Sequence, residues 1–307
     1  MHIPVLQKEV LKYLNPKPNE NFIDCTIGEG GHTLAILERN GPKGKVLGIE
    51  WDLKQIENCK LKIKNFKERV ILVWDNFANL KAITERERFW QVSGILFDLG
   101  LSSWHLEESK RGFSFLRNEP LVMRYNRNHG ESISRDSSGI SVEEGLTAEK
   151  IVNEWPEKEI EKILKEFGQE RFAKQIAKKI IEERKSKTIK TTFQLVEIIK
   201  QATPPWYQRR KIHPATRTFQ ALRIAINDEL NNLEMALPQA LEILKKGGRM
   251  VVISFHSLED RIVKNFFRKK SKKNLIILNK NPIRPTFEEI KINPRSRSAK
   301  LRVAQKI

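Results

Sequence analysis

Cysteine is scarce in this sequence: Cys25 and Cys59 are the only two, and no histidine stands near enough to make a zinc-ligand set with them. That excludes a disulfide scaffold and a metal ribbon, and points to a reducing compartment, the cytoplasm. Long apolar runs are missing too. None approaches the ~20 residues of a membrane span, and "MHIPVLQKEVLKYL" lacks the basic, apolar and small-residue order of a secretory signal. Internal repeats and low-complexity tracts are absent. Acidic residues are in deficit, 38 Asp and Glu against 57 Lys and Arg, a formal net charge of +19. A surplus of that size predicts a polyanionic partner, because a basic surface gathers phosphates through long-range attraction and counterion release.

What is present begins with alternation. "NFIDCTIG", "GKVLGIEWD", "RVILVWDNF" and "GILFDLGL" read as strands, separated by the helical spacings of "HTLAILERNG" and "LKQIENCKLKIKNF". Strands alternating with helices predict an α/β fold with a parallel sheet covered on both faces. From Trp104 to His213 the pattern is helical, as in "EKEIEKILKEFG" and "ERFAKQIAKKIIEER". It returns as a long helix, "TRTFQALRIAINDELNNLEMALPQALEIL", expected to kink or split at Pro238. The strand "GRMVVISFHS", the helix "LEDRIVKNFFRKK" and the candidate strands "NLIILNK" and "LRVAQKI" follow. The expected division is residues 1–103 as the first part of a core, 104–212 as a helical insertion for substrate recognition, and 213–307 as the rest of the core.

The chemistry gathers at strand ends. "DCTIGEGGH" puts three glycines between the first strand and first helix, which lets a ligand approach the backbone. The spacing is not G-x-G-x-x-G, so the dinucleotide fingerprint fails. Glu50 and Asp52 in "GIEWD" are both candidates to accept from ribose hydroxyls; Glu50 is favoured because it is still on the strand, with Asp52 left to cap the next helix. Phe77 either stacks on an adenine or is a plain core phenylalanine. Together these features suggest an S-adenosylmethionine pocket. Asp98 at the end of the fourth strand is then placed to accept from an exocyclic amine, its bland alternative being a cap. His256 in "SFHS" is assigned to the active-site wall, with Glu259 and Asp260 as caps. A serine nucleophile is set aside, since amine methylation needs no covalent enzyme intermediate. His213 either touches RNA or caps a helix. Arg217, Gln220 and Arg223 form one helix face that either grips phosphate or is salt-bridged. The run from Arg268 to Lys273 and "NPRSRSAK" either clamp RNA or are a solvated surface.

Seven segments carry a resemblance: "GEGGH", "DLGLSS", "RGFSF", "GQERFAKQIA", "HPATRTFQALRI", "GGRMVVISFHSLEDRIVK" and "NPRSRSAKLR". The chain resembles the bacterial RsmH (MraW) methyltransferases, which methylate N4 of a cytidine in small-subunit ribosomal RNA. The resemblance implies a class I, Rossmann-like methyltransferase sheet with an inserted helical domain, S-adenosyl-L-methionine as cofactor, no metal, and 16S rRNA as partner in its decoding region, within a small ribosomal subunit or its precursor. It places Gly31, His32 and Thr33 on the cofactor loop, Glu50 on the ribose acid (an aspartate in relatives), Phe77 and His105 in the pocket, and Asp98 at the strand-end acid. His105 stands where relatives carry glutamine. Val122 replaces the acid of an "LDMR" loop and Arg124 remains, so Arg124, Arg217 and Arg223 are the candidate substrate contacts. A non-catalytic RNA-binding or assembly protein on the same fold is the rival reading. A DNA amino-methyltransferase is the other, although its Pro-Pro-aromatic signature is replaced by "LGLSSW".

Overall fold

The computed structural model describes residues 3–126, 134–135, 141–142, 145–271 and 273–307. It divides into two compact units. One comprises Met1–Ser102 and Leu230–Ile307, the other Ser103–Glu229.

In the first unit the apolar runs become strands β1 (Asn21–Asp24), β2 (Val46–Glu50), β3 (Val70–Trp74) and β4 (Val92–Asp98). Helices α1 (Gln7–Leu14), α2 (Gly31–Leu37), α3 (Leu53–Lys62) and α4 (Leu80–Arg86) precede or connect them. Along β4 the side chains alternate, Ile95 and Phe97 entering one buried cluster and Leu96 the other. That period of two, apolar on both faces, marks a strand covered on both sides. Leu80 and Ile83 of α4 cover one face, while Val10 and Leu14 of α1 with Ile36 and Leu37 of α2 cover the other.

The second unit carries short helices: α5 (Ser103–Glu107), α6 (Ala148–Glu154), α7 (Glu157–Glu166), α8 (Ala173–Arg184), α9 (Thr192–Ala202), α10 (Pro205–Gln208) and α11 (Thr216–Asn227). A two-residue ladder pairs β5 (Ser134–Arg135) with β6 (Ser141–Val142). The chain then completes the first unit with α12 (Glu229–Ile243), β7 (Leu244–Ser254), α13 (Ser257–Lys270), β8 (Leu275–Ile277), α14 (Phe287–Ile292) and β9 (Lys300–Lys306).

The seven-stranded sheet has the order β3-β2-β1-β4-β7-β9-β8. The first five strands run parallel, and β9 is antiparallel to both of its neighbours. The chain winds outward from β1 through β2 to β3, then crosses back to β4 on the other side of β1. Between β1 and β4 lies the switch point where open α/β sheets bind ligands outside their carboxyl ends.

Two expectations need amendment. The long helical segment breaks at Asp228 rather than Pro238, which lies inside α12. Asp228 adopts a left-handed φ of 48° and its N–H bonds back to the Ile224 carbonyl, a conformation that a short polar side chain tolerates. Consequently α11, assigned to the core from sequence, clusters with the inserted helices, and the boundary falls after Glu229 rather than at 212.

Candidate active site

Three strand-end acids of the first unit come to the same edge of the sheet: Asp24 on β1, Glu50 on β2 and Asp98 on β4. Each has a different environment, and therefore a different use.

Asp24 is buried. Its Oδ2 accepts from the Thr33 hydroxyl at 2.8 Å and its Oδ1 from the Thr26 amide at 3.2 Å. Desolvation pushes its carboxyl above the usual range, against the opposing pull of His32 and these hydrogen bonds. The Thr26 hydroxyl in turn accepts from the Asp98 amide at 2.7 Å. Asp24, Thr26 and Thr33 thus form a strut that fixes where the Asp98 backbone ends.

Asp98 itself remains available. His32 Nε2 lies 3.5 Å from its Oδ2, outside hydrogen-bond geometry, and its buried Oδ1 has no hydrogen-bond partner. Neither oxygen caps a turn, so the cap reading of this acid has no support. Both nitrogens of the buried His32 are also without hydrogen-bond partners. Buried polar atoms in native proteins are nearly always satisfied, so three such atoms at one strand end mark a place for a ligand.

Glu50 is the most constrained acid. Its Oε2 accepts from the Gly28 amide at 3.0 Å, and its Oε1 from the Trp51 and Asp52 amides at 2.9 and 3.0 Å. Burial nevertheless pushes its carboxyl up to about 7, the amides and the neighbouring Asp52 modifying that effect. A carboxylate offers about four lone-pair sites; three are used, and Oε2 keeps one. Asp52 caps α3, accepting from the Lys54 amide at 3.0 Å.

The glycine loop has space where a ligand needs it. Gly28 has a φ of +50° and a Cβ added there would meet only the Thr26 carbonyl, at 3.9 Å. At Gly31 a Cβ would sit 2.5 Å from Pro4 Cγ. Gly31 thus packs closely on Pro4, while Gly28 leaves open space beside the loop. Phe77 meets Phe97 edge-on at 5.8 Å and packs against the core, yet is only partly buried.

A family model described as the MraW methylase family matches residues 1–307. The chain belongs to that family. A protein named ribosomal RNA small subunit methyltransferase H from Heliobacterium mobile is 43% identical over 323 residues, covering 100% of this chain and 99% of the relative. Namesakes from Dehalococcoides mccartyi and Thermosipho melanesiensis are each 45% identical over all of this chain, covering 86% and 98% of their own lengths.

Within this MraW-family chain, His256 has a role that the sequence assignment did not include. It is the N-cap of α13, its Nδ1 accepting from the Glu259 amide at 3.4 Å, while Glu259 Oε2 takes the Phe255 and His256 amides at 2.8 and 3.2 Å. Its buried Nε2 lies 3.2 Å from Glu259 Oε1 without hydrogen-bond geometry. His256 is first of all a helix cap. Asp260, expected as a cap, is instead held below the usual carboxylate range by Arg302 and Lys300, which offset its partial burial.

The remaining candidates belong to the second unit. His105 is buried in an aromatic cluster, its ring 5.0 Å from Tyr125, 5.3 Å from Phe113 and 5.5 Å from Trp104. It builds the core of the inserted unit. Val122 engages through its backbone, donating to Pro120 and accepting from Ala148. Arg124 presents its carbonyl to Arg111 Nη1 at 3.3 Å. Arg223 makes a two-pronged pair with Glu229 at 2.7 and 2.8 Å, closing the Asp228 turn. Arg217 donates to the Gln169 carbonyl and Gln220 to that of Phe167. The helix face is mostly structural, and Arg223 is its anchor. His213 stacks on Phe115 of the "RGFSF" loop at 4.5 Å and 7°.

Sequence reasoning missed Asp24, Thr26 and Gln55. The signal for the first two was the acid and hydroxyl of "DCTIG", passed over for the glycines beside them. Gln55 is fully buried, donating to Ser102 Oγ with its own Oε1 unpaired. It ties the turn after Asp98 to α3, and nothing in "LKQIENCK" announces that.

Proposed function

We propose that this chain transfers a methyl group from S-adenosylmethionine to the exocyclic N4 amine of a cytidine in the decoding region of 16S ribosomal RNA, in the cytoplasm and on a small subunit or its precursor. Membership of the MraW methylase family supports the reaction class, and the relatives' names support the ribosomal RNA of the small subunit. Among the described residues no helix is long and apolar enough to cross a membrane.

The observation that carries the reading is the free Oδ1 of Asp98. When bound, S-adenosylmethionine supplies a methyl group on a positively charged sulfur. The Gly28 cradle takes the cofactor's approach, and Glu50 Oε2 accepts from one ribose hydroxyl with its remaining lone pair. A cytosine amine has its lone pair delocalised into the ring, so it needs orientation more than a strong base. Asp98 Oδ1 would accept one amine hydrogen, turning the nitrogen lone pair toward the methyl, and would take the proton released as the N–C bond forms and the S–C bond breaks, the sulfur leaving as a neutral thioether. His32 Nε2 stands 3.5 Å from the other oxygen, on the same side of the site. A base in structured RNA must leave its stack to reach this position.

The test is single-turnover methylation of small-subunit RNA, mapped by mass after nuclease digestion. Asp98→Asn keeps size but puts a donor where the amine also donates, so the rate should fall about 10²-fold or more, with cofactor affinity nearly unchanged. Wild-type rates in Asp98→Asn would remove the acid from the chemistry. A methyl mapped to any other base or atom would refute the N4 assignment.

A further inference from the structure

We infer that the aromatic and basic surface around Trp206 is a stacking platform for a single-stranded RNA segment. The inference rests on the proposed RNA substrate and deepens it.

Trp206 lies in the one-turn helix α10 of the inserted unit, and half of its surface is exposed, 50%. Its immediate neighbour Tyr207 is buried, with its hydroxyl donating to both oxygens of the buried Glu170 at 2.9 and 2.7 Å. Glu170 also accepts from the Phe172 amide at 2.9 Å. Gln208 fastens the other end of the turn, donating to the Lys200 and Thr203 carbonyls at 2.7 and 2.8 Å. Pro204 and Pro205 open the helix with their φ already set. The segment that presents the indole is held at both ends, so displaying this large apolar ring to solvent costs no order.

The surroundings are cationic. The Arg171 guanidinium sits 5.4 Å from the Trp206 ring centre and 5.9 Å from that of Phe172; Arg210 sits 5.6 Å from that of Tyr207. Arg209, Arg210 and Lys211 follow in sequence and are exposed, as is Arg171. Among the described residues none of these four cations has a carboxylate within ion-pair distance. Arg217 adds its charge, since it and Arg210 both act on the Tyr207 hydroxyl. Phe172 and Tyr207 meet the indole tilted or edge-on, at 60° and 87°. Among the described residues no ring stacks parallel on it.

A protein partner of ordinary chemistry would meet uncompensated arginines at the centre of such a patch. A nucleic-acid strand meets what it needs: cations for its phosphates and a π-face for a base, flanked by guanidinium planes that also stack. Single strands are favoured over duplex because only unstacked bases can lie on an indole. The +19 charge of the chain supplies the long-range attraction.

The experiment measures binding of a fluorescein-labelled, single-stranded RNA dodecamer to the full chain by anisotropy, between 50 and 300 mM salt. Trp206→Ala should weaken binding about 5- to 100-fold, the usual effect of one lost base–aromatic stack, and Trp206→Phe should recover part of it. Arg209→Ser with Arg210→Ser should make the slope of log affinity against log salt shallower by about 1–2. Cofactor affinity and the thermal midpoint should hold in all three variants. Unchanged RNA affinity in Trp206→Ala overturns the platform, as does equal loss of affinity for an acidic polypeptide, which would make the surface a protein-docking patch. If binding depends on Trp206 yet the wild type methylates no small-subunit RNA, the platform stands and the proposed reaction fails.

Discussion

Replacing Glu50 by glutamine separates what this acid does for the fold from what it does for a ligand. Its carboxyl titrates at about 7 in the folded chain against an ordinary 4.5. A raised acid binds its proton more tightly folded than unfolded, so stability falls as pH rises from 4.5 to 7 and is constant above. Discounted for partial exposure, ionised Glu50 costs the fold about 2–3 kcal/mol above pH 7. Glutamine escapes that cost. It also faces three backbone donors, from Gly28, Trp51 and Asp52, with a single acceptor oxygen, losing about 1 kcal/mol at whichever amide its NH2 meets. Urea melts should therefore find Glu50→Gln less stable than wild type by about 1 kcal/mol at pH 4.5 and more stable by about 1–2 kcal/mol at pH 8. Calorimetry with S-adenosylmethionine should show the reverse order. Wild-type affinity rises with pH toward a plateau above 7, while the variant binds at least tenfold more weakly at pH 8, having lost a charged hydrogen bond of about 1.5–3 kcal/mol. A stability difference that does not move with pH would refute the assigned environment; equal cofactor affinity at pH 8 would refute the ribose role.

Two further outcomes follow from the same geometry. Thr33→Val removes the hydroxyl from buried Asp24 Oδ2 and should cost about 1–3 kcal/mol, read by denaturant melts, with methylation slowed because the strut under Asp98 is loosened; an unchanged melt would show the strut to be idle. Arg223→Met leaves Glu229 without its two-pronged partner and should lower stability by about 3 kcal/mol with RNA affinity unchanged, so a selective loss of RNA binding would return Arg223 to the substrate.

The sheet was legible because both of its faces are buried. A run such as "GILFD" in the central β4 has no other reason to be apolar throughout, and the acids at strand ends stand out against it. Glu50 and Asp98 could be named for that reason. Asp52 could be separated from Glu50 because a cap is a local event, decided within three residues. The capping role of His256 went unread although its signal is also local: His-Ser-Leu-Glu has the spacing of a capping box, with histidine where serine or threonine is usual. The arginines of α11 were harder. Arg217 meets Gln169, 48 residues away, and Arg223 meets Glu229 beyond the end of its own helix, and a stripe of charges reads alike whether it faces a phosphate or a carbonyl. Trp206 went unnoticed because an indole's exposure depends on how the surrounding turn is tied down, which no periodicity records.

The position of β9 has a consequence for how the molecule is made. Residues 300–306 do not extend the sheet at its rim; they wedge between β7 and β8, and among the described residues β8 pairs with no other strand. A nascent chain emerges from its N-terminal end first. Until β9 arrives, β7 presents a bare row of amides and carbonyls along its free edge, and β8 has nothing to join. The β4–β7 ladder must wait as well, since the whole inserted unit separates its strands. The inserted helices depend on nearer neighbours and can condense early. A ribosome making this protein therefore holds an open-edged half-sheet, the kind of surface that recruits other strands, through the synthesis of more than half the chain.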